Sequence, residues 1–522
     1  MWTSVLDLRP QRTVPTQLLG RFWRGASLAP FAPLQVQNTP RPPLPATNWV
    51  RVRNRLGGIS GCDLRLLYGE SDPRTTPAAL PIRTPYYPGH EVVGEVIEVG
   101  SDVEYLNVGD RVVLQYDLNC LTAGVQPLCR FCANGMYNLC ERVDLPGPYP
   151  IGGGWSEEML LHEQQLYPIP PDLSDEQAVM LEPTAIALHA VLRHTPRPTD
   201  QVLIIGAGTL GLLTLMIVHM LVPRAQISVL VRHSFQVEQA TRLGAAHIIY
   251  PHNSYAAMQQ ITAAHLYKGL LGNKTLIGGY DHTFDTIGSQ KTLSDALRWT
   301  RANGTVVLVG QNPHLMHIDL TPIWHQELRL VGSRAHGTET WPLGSNTRTS
   351  TFSVVEQLME QELLQPERLI THRFALTEYR EALKTALYKE QNHAIKIVFD
   401  YAKQPTSVVP NARTSYPLRP RPGRRGPAPD ATSRPRPGDL PVIPAPPVPE
   451  APESPDIPTI TITPDEVIAP PPSTNFIPGD ATIQQMIVTN FDYEHKDEEQ
   501  PATRTDESAS SSPKEENATN NE

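Results

Sequence analysis

The chain has 522 residues, room for two or three domains, and carries 54 acidic against 44 basic side chains for a net charge of −10. That balance argues against nucleic-acid binding by the folded part. An apolar content of 40% is low for a wholly globular chain and 53 prolines is high, but 24 of those prolines fall after Ala402.

Met1 to Thr13 has no apolar core segment, so no signal peptide is expected, and residues up to about Pro45 show no clear period. Trp49 to Leu56 (WVRVRNRL) alternates apolar and basic residues as a half-exposed strand does. GGISGCDL follows as a Gly-rich turn leading to Ser60, Cys62 and Asp63. Tyr86 to Gly100 (YYPGHEVVGEVIEVG) sets His90 and Glu91 at the head of a strand predicted over Val92–Val99. Gly94 and Gly100 punctuate that run where a Cβ would block a bend or a close backbone approach. A histidine beside a carboxylate, just after Pro88-Gly89, suits a metal ligand projecting from a turn into a cleft; the plainer alternative is an ordinary strand entry.

Leu106 to Leu114 reads as a turn and a strand, and then the cysteines cluster. Cys129 and Cys132 form a C-x2-C pair, with Cys140 seven intervening residues beyond and Cys120 eight before. Without a secretory signal this grouping points to metal rather than disulfides. Four thiolates suit a closed tetrahedral zinc that staples a lobe without doing chemistry. Further on, Ser174 caps a predicted helix, SDEQAVMLEPTAIALHAVL, interrupted at Glu182-Pro183. A carboxylate in that apolar run is costly to bury unpaired, so Glu182 is either tied to a metal or on an exposed helix face.

Val202 to Val222 is apolar and long enough to span a bilayer, but its glycines stand in a nucleotide-binding spacing. A buried strand from Gln201 to Ile205 leads into G-A-G-T-L-G and an apolar helix, the context a dinucleotide fingerprint requires. Gly206 makes the tight turn, Gly208 lets a pyrophosphate approach the backbone, and Gly211 lets helix and strand pack; Thr209 and Leu210 complete the loop. The next strand, Ile227–Val231, lacks the terminal acid that would bind the ribose hydroxyl of NAD. Arg232 and His233 stand there instead, and an arginine favours the 2′-phosphate of NADP over NAD. Thr286 and Gly310, at the ends of two later strands, are further cofactor candidates. The alternation of strands and helices around one fingerprint gives an α/β class with a doubly wound parallel sheet.

In order, the chain offers a Gly-Ile-x-Gly-x-Asp turn, GHExxGxxxxxG, a cysteine cluster, Glu-Pro and GxGxxG. Together these resemble the medium-chain, zinc-containing dehydrogenase/reductase family of alcohol, sorbitol and threonine dehydrogenases, over about Trp49 to Ala402. The resemblance implies a β-rich GroES-like catalytic domain with a structural zinc lobe over residues 1–170, and a Rossmann NAD(P)-binding domain over 171–333. It also implies a return to the catalytic domain over 334–402; the Pro-rich remainder, 403–522, is expected to be a disordered tail. Its basic patch from Arg419 to Arg425 reads as a solvated linker. By the same resemblance His90 is a catalytic zinc ligand, Glu91 and Glu182 stand at the metal, and Asp63 holds the histidine; Cys120, Cys129, Cys132 and Cys140 form the structural zinc set. A small-molecule alcohol or carbonyl substrate, a cytoplasmic setting, no membrane association and a homodimer or homotetramer are the family expectation; no partner for the tail is indicated.

One departure stands out. The family's cysteine ligand lies in G-I-C-G-[ST]-D, whereas this chain reads G-I-S-G-C-D, with Ser60 at the ligand position and Cys62 at the proton-relay position. A serine hydroxyl is a poor zinc ligand at neutral pH and a thiolate a good one. Three outcomes are open: Cys62 reaches the metal, zinc is held weakly by His90, a carboxylate and water, or the site is empty. The expected activity is zinc-dependent interconversion of a secondary alcohol, polyol, sugar or hydroxy-amino acid with its carbonyl by hydride transfer. Its alternatives are a zinc-free NADPH reductase of enones or quinones on the same fold, and a catalytically impaired nucleotide-binding scaffold whose tail recruits partners.

Overall fold

The computed structural model describes residues 1–20, 22–68, 72, 74–76, 86–142 and 145–403; the Pro-rich tail predicted from composition, Arg419–Arg425 included, lies outside the described residues. A six-stranded parallel sheet runs in the order His247–Ile249, Gln226–Leu230, Gln201–Ile205, Tyr280–Asp285, Thr300–Leu308, Arg329–Gly332. Val202 and Ile204 face one apolar core, with the helices Leu181–Arg193 and Thr209–Leu221; Leu203 and Ile205 face another, with the helix Gln290–Trp299. Covering both faces is what makes the strand continuously apolar rather than alternating. Among the described residues no helix is long and apolar enough to cross a membrane, and the apolar run from Val202 is the buried strand, turn and helix expected of it.

A second, seven-stranded sheet is mostly antiparallel and collects distant parts of the chain. Its main path runs Ile370–Phe374, Lys396–Asp400, Trp49–Ile59, Val92–Val99, Arg111–Leu114, Leu166–Pro168, with Glu158–His162 also paired to Trp49–Ile59. Val50, Val52, Val92, Val96, Val112, Met159 and Leu161 fill one of its cores. The strand Lys396–Asp400 docks antiparallel on the end of Trp49–Ile59, which brings the C-terminal end of the fold beside Ser60.

Three local expectations differ from the structure. Gly57 and Gly58 do not turn; they continue the strand to Ile59, and glycine stands there because larger residues would collide. A Cβ at Gly58 would stand 2.4 Å from Glu91 Oε2. The helix after Ser174 breaks at Met180, one residue before the second helix begins at Leu181, so Glu182 and Pro183 occupy a first turn where proline is tolerated. Residues before Pro45 are structured: Trp2–Leu6 pairs antiparallel with Leu34–Asn38, and Pro10–Gly20 is helical. The strand Trp2–Leu6 is held by Leu6, which packs against Leu34 and Trp155, a partner remote in sequence.

Candidate metal and cofactor site

The site starts from a helix cap. Ser60 is extended (φ −94°, ψ 162°) ahead of the short helix Gly61–Leu67, and its Oγ accepts from the Asp63 backbone N–H at 3.1 Å. The Asp63 carboxylate answers through Oδ2, which accepts from Ser60 Oγ at 2.7 Å and from Ser60 N at 3.3 Å. This reciprocal box satisfies two backbone donors the helix would otherwise orphan. It also leaves Oδ1 of Asp63 free to accept from Gly89 N at 3.2 Å and to face His90 Nδ1 at 3.7 Å. Gly89 sits at φ +90°, where a Cβ would stand 2.5 Å from Trp155 Cδ1, so only glycine makes the bend that turns His90 toward the helix. With Nδ1 turned to the carboxylate, Nε2 points to Cys62, whose Sγ lies 3.5 Å away and 3.0 Å from Ser60 Oγ.

Beyond His90 lie two carboxylates. Ligand-capable atoms of His90, Glu91 and Glu182 fall within 4.8 Å of one another. Glu91 forms an ion pair with Lys396, itself 1% exposed, reaching in from the strand Lys396–Asp400. Glu182 Oε2 is buried and has no hydrogen-bond partner. An orphaned carboxylate oxygen beside an imidazole nitrogen is an expensive arrangement unless a cation belongs between them. The donor set of nitrogen and carboxylate oxygen fits zinc.

The electrostatics follow from burial and crowding. Burial pushes the Glu182 carboxyl up to about 7; the cations of His90 and Lys396 oppose that shift and Glu91 adds to it. For His90, burial disfavours the charged ring, but the Cys62 and Asp63 charges outweigh it and hold the imidazole well above its ordinary value. Burial also works against the Asp63 carboxylate, and His90, Ser60 and the Gly89 N–H together bring it below the usual range.

The second cluster is made of cysteines alone. Cys120, Cys129, Cys132 and Cys140 bring their sulfurs within 4.8 Å of one another, Cys120 and Cys140 at 3.7 Å. The loop after Cys129 curls so that Cys132 N donates to Cys129 Sγ at 3.4 Å. Burial disfavours the Cys129 thiolate, yet the backbone N–H groups of Cys132 and Glu141 outweigh burial and bring it to about 6. Burial pushes the Cys132 and Cys140 thiols up, so it is the four-sulfur geometry that fits a structural zinc.

On the nucleotide side, the fingerprint loop lies where strand order reverses, between Gln201–Ile205 and Tyr280–Asp285. Gly206 adopts φ +106°, and a Cβ on Gly211 would stand 2.0 Å from Gly206 O. A Cβ on Gly208 would meet nothing within 4 Å, so the loop is open where a pyrophosphate must approach. Thr209 and Thr286 turn their hydroxyls to Ile395 O (3.1 Å) and Ile205 O (2.8 Å), and Leu210 packs against the core, so these three shape the loop with their own contacts. Gly310 abuts Ile287 and Gly288, where a Cβ would collide at 2.3 Å. Arg232 is exposed past the strand Gln226–Leu230, while His233 faces Glu390 at 3.3 Å and stacks on Phe235.

Sequence reasoning missed Lys396. Its signal is a lysine inside the apolar strand AIKIVF, a position that demands a buried counter-charge. It missed also that Ser60 is committed to a cap.

Comparison with known proteins gives the family. The profile described as "Alcohol dehydrogenase GroES-like domain" matches residues 46–171, and that described as "Zinc-binding dehydrogenase" matches residues 209–347. A sorbitol dehydrogenase of Arabidopsis thaliana is 31% identical over 67% of this chain and 88% of its own. An L-idonate 5-dehydrogenase of Vitis vinifera is 31% identical over 67% of this chain and 87% of its own. The solved alcohol dehydrogenase of Thermus sp. ATN1 superposes with a TM-score of 0.56 at 25% identity, covering 77% of this chain and 99% of that one.

Proposed function

The chain belongs to the zinc-containing medium-chain dehydrogenase family and is an oxidoreductase of CH–OH groups, and from that premise we propose that it interconverts a polyol or related secondary alcohol with its ketone, using NADP(H) in preference to NAD(H). The observation that carries the reading is the set of half-buried His90 with buried Glu91 and Glu182, and an unpartnered Glu182 oxygen, on a fold whose fingerprint loop is open to a dinucleotide. The polyol class is supported by the sorbitol and idonate relatives. The NADP preference is supported by exposed Arg232 where an NAD enzyme carries an acid.

A zinc held by His90 Nε2 and Glu182, with Glu91 in reserve, would supply Lewis acidity to a substrate oxygen, and the nicotinamide would carry the hydride. The chain's own work is positioning and charge balance. Asp63 fixes the His90 ring through Nδ1 so that Nε2 faces the cleft. Lys396 neutralises Glu91, which keeps a second anion tolerable beside Glu182. Gly206, Gly208 and Gly211 let backbone N–H groups and a helix N-terminus meet the pyrophosphate. A second zinc in the four-cysteine cage would brace its lobe. A cytoplasmic homodimer or homotetramer completes the reading on family resemblance, and light scattering on purified protein reads the assembly.

The test is turnover of a polyol and secondary-alcohol panel by the full chain with either cofactor. Expected are activity lost on chelation and in His90→Ala, and a cofactor preference that falls about tenfold in Arg232→Ala, equivalent to about 1.4 kcal/mol. Activity indifferent to both chelation and His90→Ala would overturn the metal-centred reading and leave a zinc-free reductase.

A further inference from the structure

Position 60, where the family resemblance places a cysteine ligand, is unavailable here. Ser60 is 8% exposed, and its Oγ is engaged with both the backbone N–H and the carboxylate of Asp63. Turning Ser60 toward a metal would break the cap and take from Asp63 its shortest hydrogen bond, and Asp63 is the group that faces His90 Nδ1. Cys62 stands two residues on, inside the first turn of the helix, and is partly exposed. Its sulfur faces His90 Nε2 at 3.5 Å. A zinc with roughly 2.3 Å to sulfur and 2.0–2.1 Å to nitrogen in tetrahedral geometry sets those two atoms about 3.6 Å apart. The observed separation is that of two ligands sharing one edge of a metal tetrahedron; Cys62 stands outside the 4.8 Å cluster of His90, Glu91 and Glu182, so its sulfur has to swing toward Glu182 when a metal enters. The independent sign of a missing cation is Glu182, 9% exposed, whose Oε2 has no partner and lies in the same cluster as His90.

We propose that Cys62, not residue 60, supplies the thiolate ligand of the metal held by His90 and Glu182, while Ser60 has become a helix cap that fixes the Asp63–His90 pair. The proposal rests on the metal-centred reading above. It inverts the usual division of labour in G-I-S-G-C-D: the third residue braces and the fifth ligates. The thiol proton leaves to solvent as the metal–sulfur bond forms. The exchange also removes a hydroxyl from position 62, so a proton cannot leave the substrate by a hydroxyl at that place.

The experiment measures zinc per chain by elemental mass spectrometry and the sulfur-to-cobalt charge-transfer band after cobalt(II) exchange. It uses the full chain as wild type, Cys62→Ser, Ser60→Ala and His90→Ala, with binding of reduced cofactor by fluorescence as the check that each variant is folded. Expected are about two zinc in wild type and Ser60→Ala and about one in Cys62→Ser and His90→Ala. The charge-transfer band should fall in Cys62→Ser by roughly one thiolate's share of five. Cys62→Ser that keeps both zinc ions and an undiminished band overturns the assignment of Cys62 alone. Zinc lost in Ser60→Ala but kept in Cys62→Ser would return the ligand role to position 60. Wild type with about one zinc, unchanged in His90→Ala, would instead sink the metal-centred reading beneath it.

Discussion

Replacing Lys396 by methionine keeps its length and removes its charge, which isolates the electrostatic role of a residue only 1% exposed. The partner, Glu91, is 4% exposed and held from the other side by the close approach of Gly58. Breaking a buried ion pair by deleting one partner typically costs about 3–5 kcal/mol, because the remaining charge is stranded. An upper limit comes from the escape route. Taking a glutamate from water to its protonated form costs about 3.7 kcal/mol at pH 7 and about 1 kcal/mol at pH 5. Lys396→Met should therefore lose about 3–4 kcal/mol in metal-free protein at pH 7 and about 1 kcal/mol at pH 5. Zinc loading should shrink the deficit at pH 7, since a cation in the cluster replaces the missing ammonium. Urea unfolding of chelated and zinc-loaded protein at the two pH values reads all three numbers. A deficit below about 1 kcal/mol at pH 7, or one equal at pH 5 and pH 7, would refute the reasoning.

Three further outcomes follow from the same structure. His282, buried against His194 and 3.1 Å from Asp200, is pushed down to about 4 chiefly by burial, with His194 adding to the shift and Asp200 opposing it. Its folded value lies below the ordinary 6.5, so the stability it supports is present above pH 6.5 and is lost as pH falls toward 4. The loss amounts to about 3 kcal/mol, and His282→Gln should flatten that slope in urea midpoints taken from pH 7 to 4.5. Gly211→Ala forces a Cβ to 2.0 Å from Gly206 O and should weaken reduced-cofactor binding at least about tenfold by fluorescence titration; unchanged affinity would refute the fingerprint packing. Cys132→Ser should drop zinc content by about one per chain and quicken tryptic cleavage at Arg130, inside the C-x2-C loop, and at Arg142, two residues past Cys140; equal zinc and equal cleavage would remove its bracing role.

Much of this molecule was legible in its sequence because the signals were local. The run from Gln201 through Gly211 carries strand, turn and helix in consecutive residues, so the parallel sheet followed from a period and three glycines. The four cysteines lie within 21 residues of chain, so a single loop suffices to bring their sulfurs together. His90-Glu91 announced themselves by standing at the head of a strand. What sequence could not supply were contacts between distant segments. Lys396 meets Glu91 only because the last strand of the fold docks on Trp49–Ile59, 305 residues from the carboxylate it neutralises. Gly58 reads as a turn residue in sequence, and only the Glu91 carboxylate packed over it explains a glycine inside the strand. The choice between Ser60 and Cys62 was likewise undecidable from composition, since serine and cysteine differ little in where they can sit. The tertiary structure adds the cap: Asp63 claims the Ser60 hydroxyl, Gly89 swings the imidazole round, and among the described residues the sulfur placed against His90 Nε2 is that of Cys62, which is the ground for the ligand role proposed above.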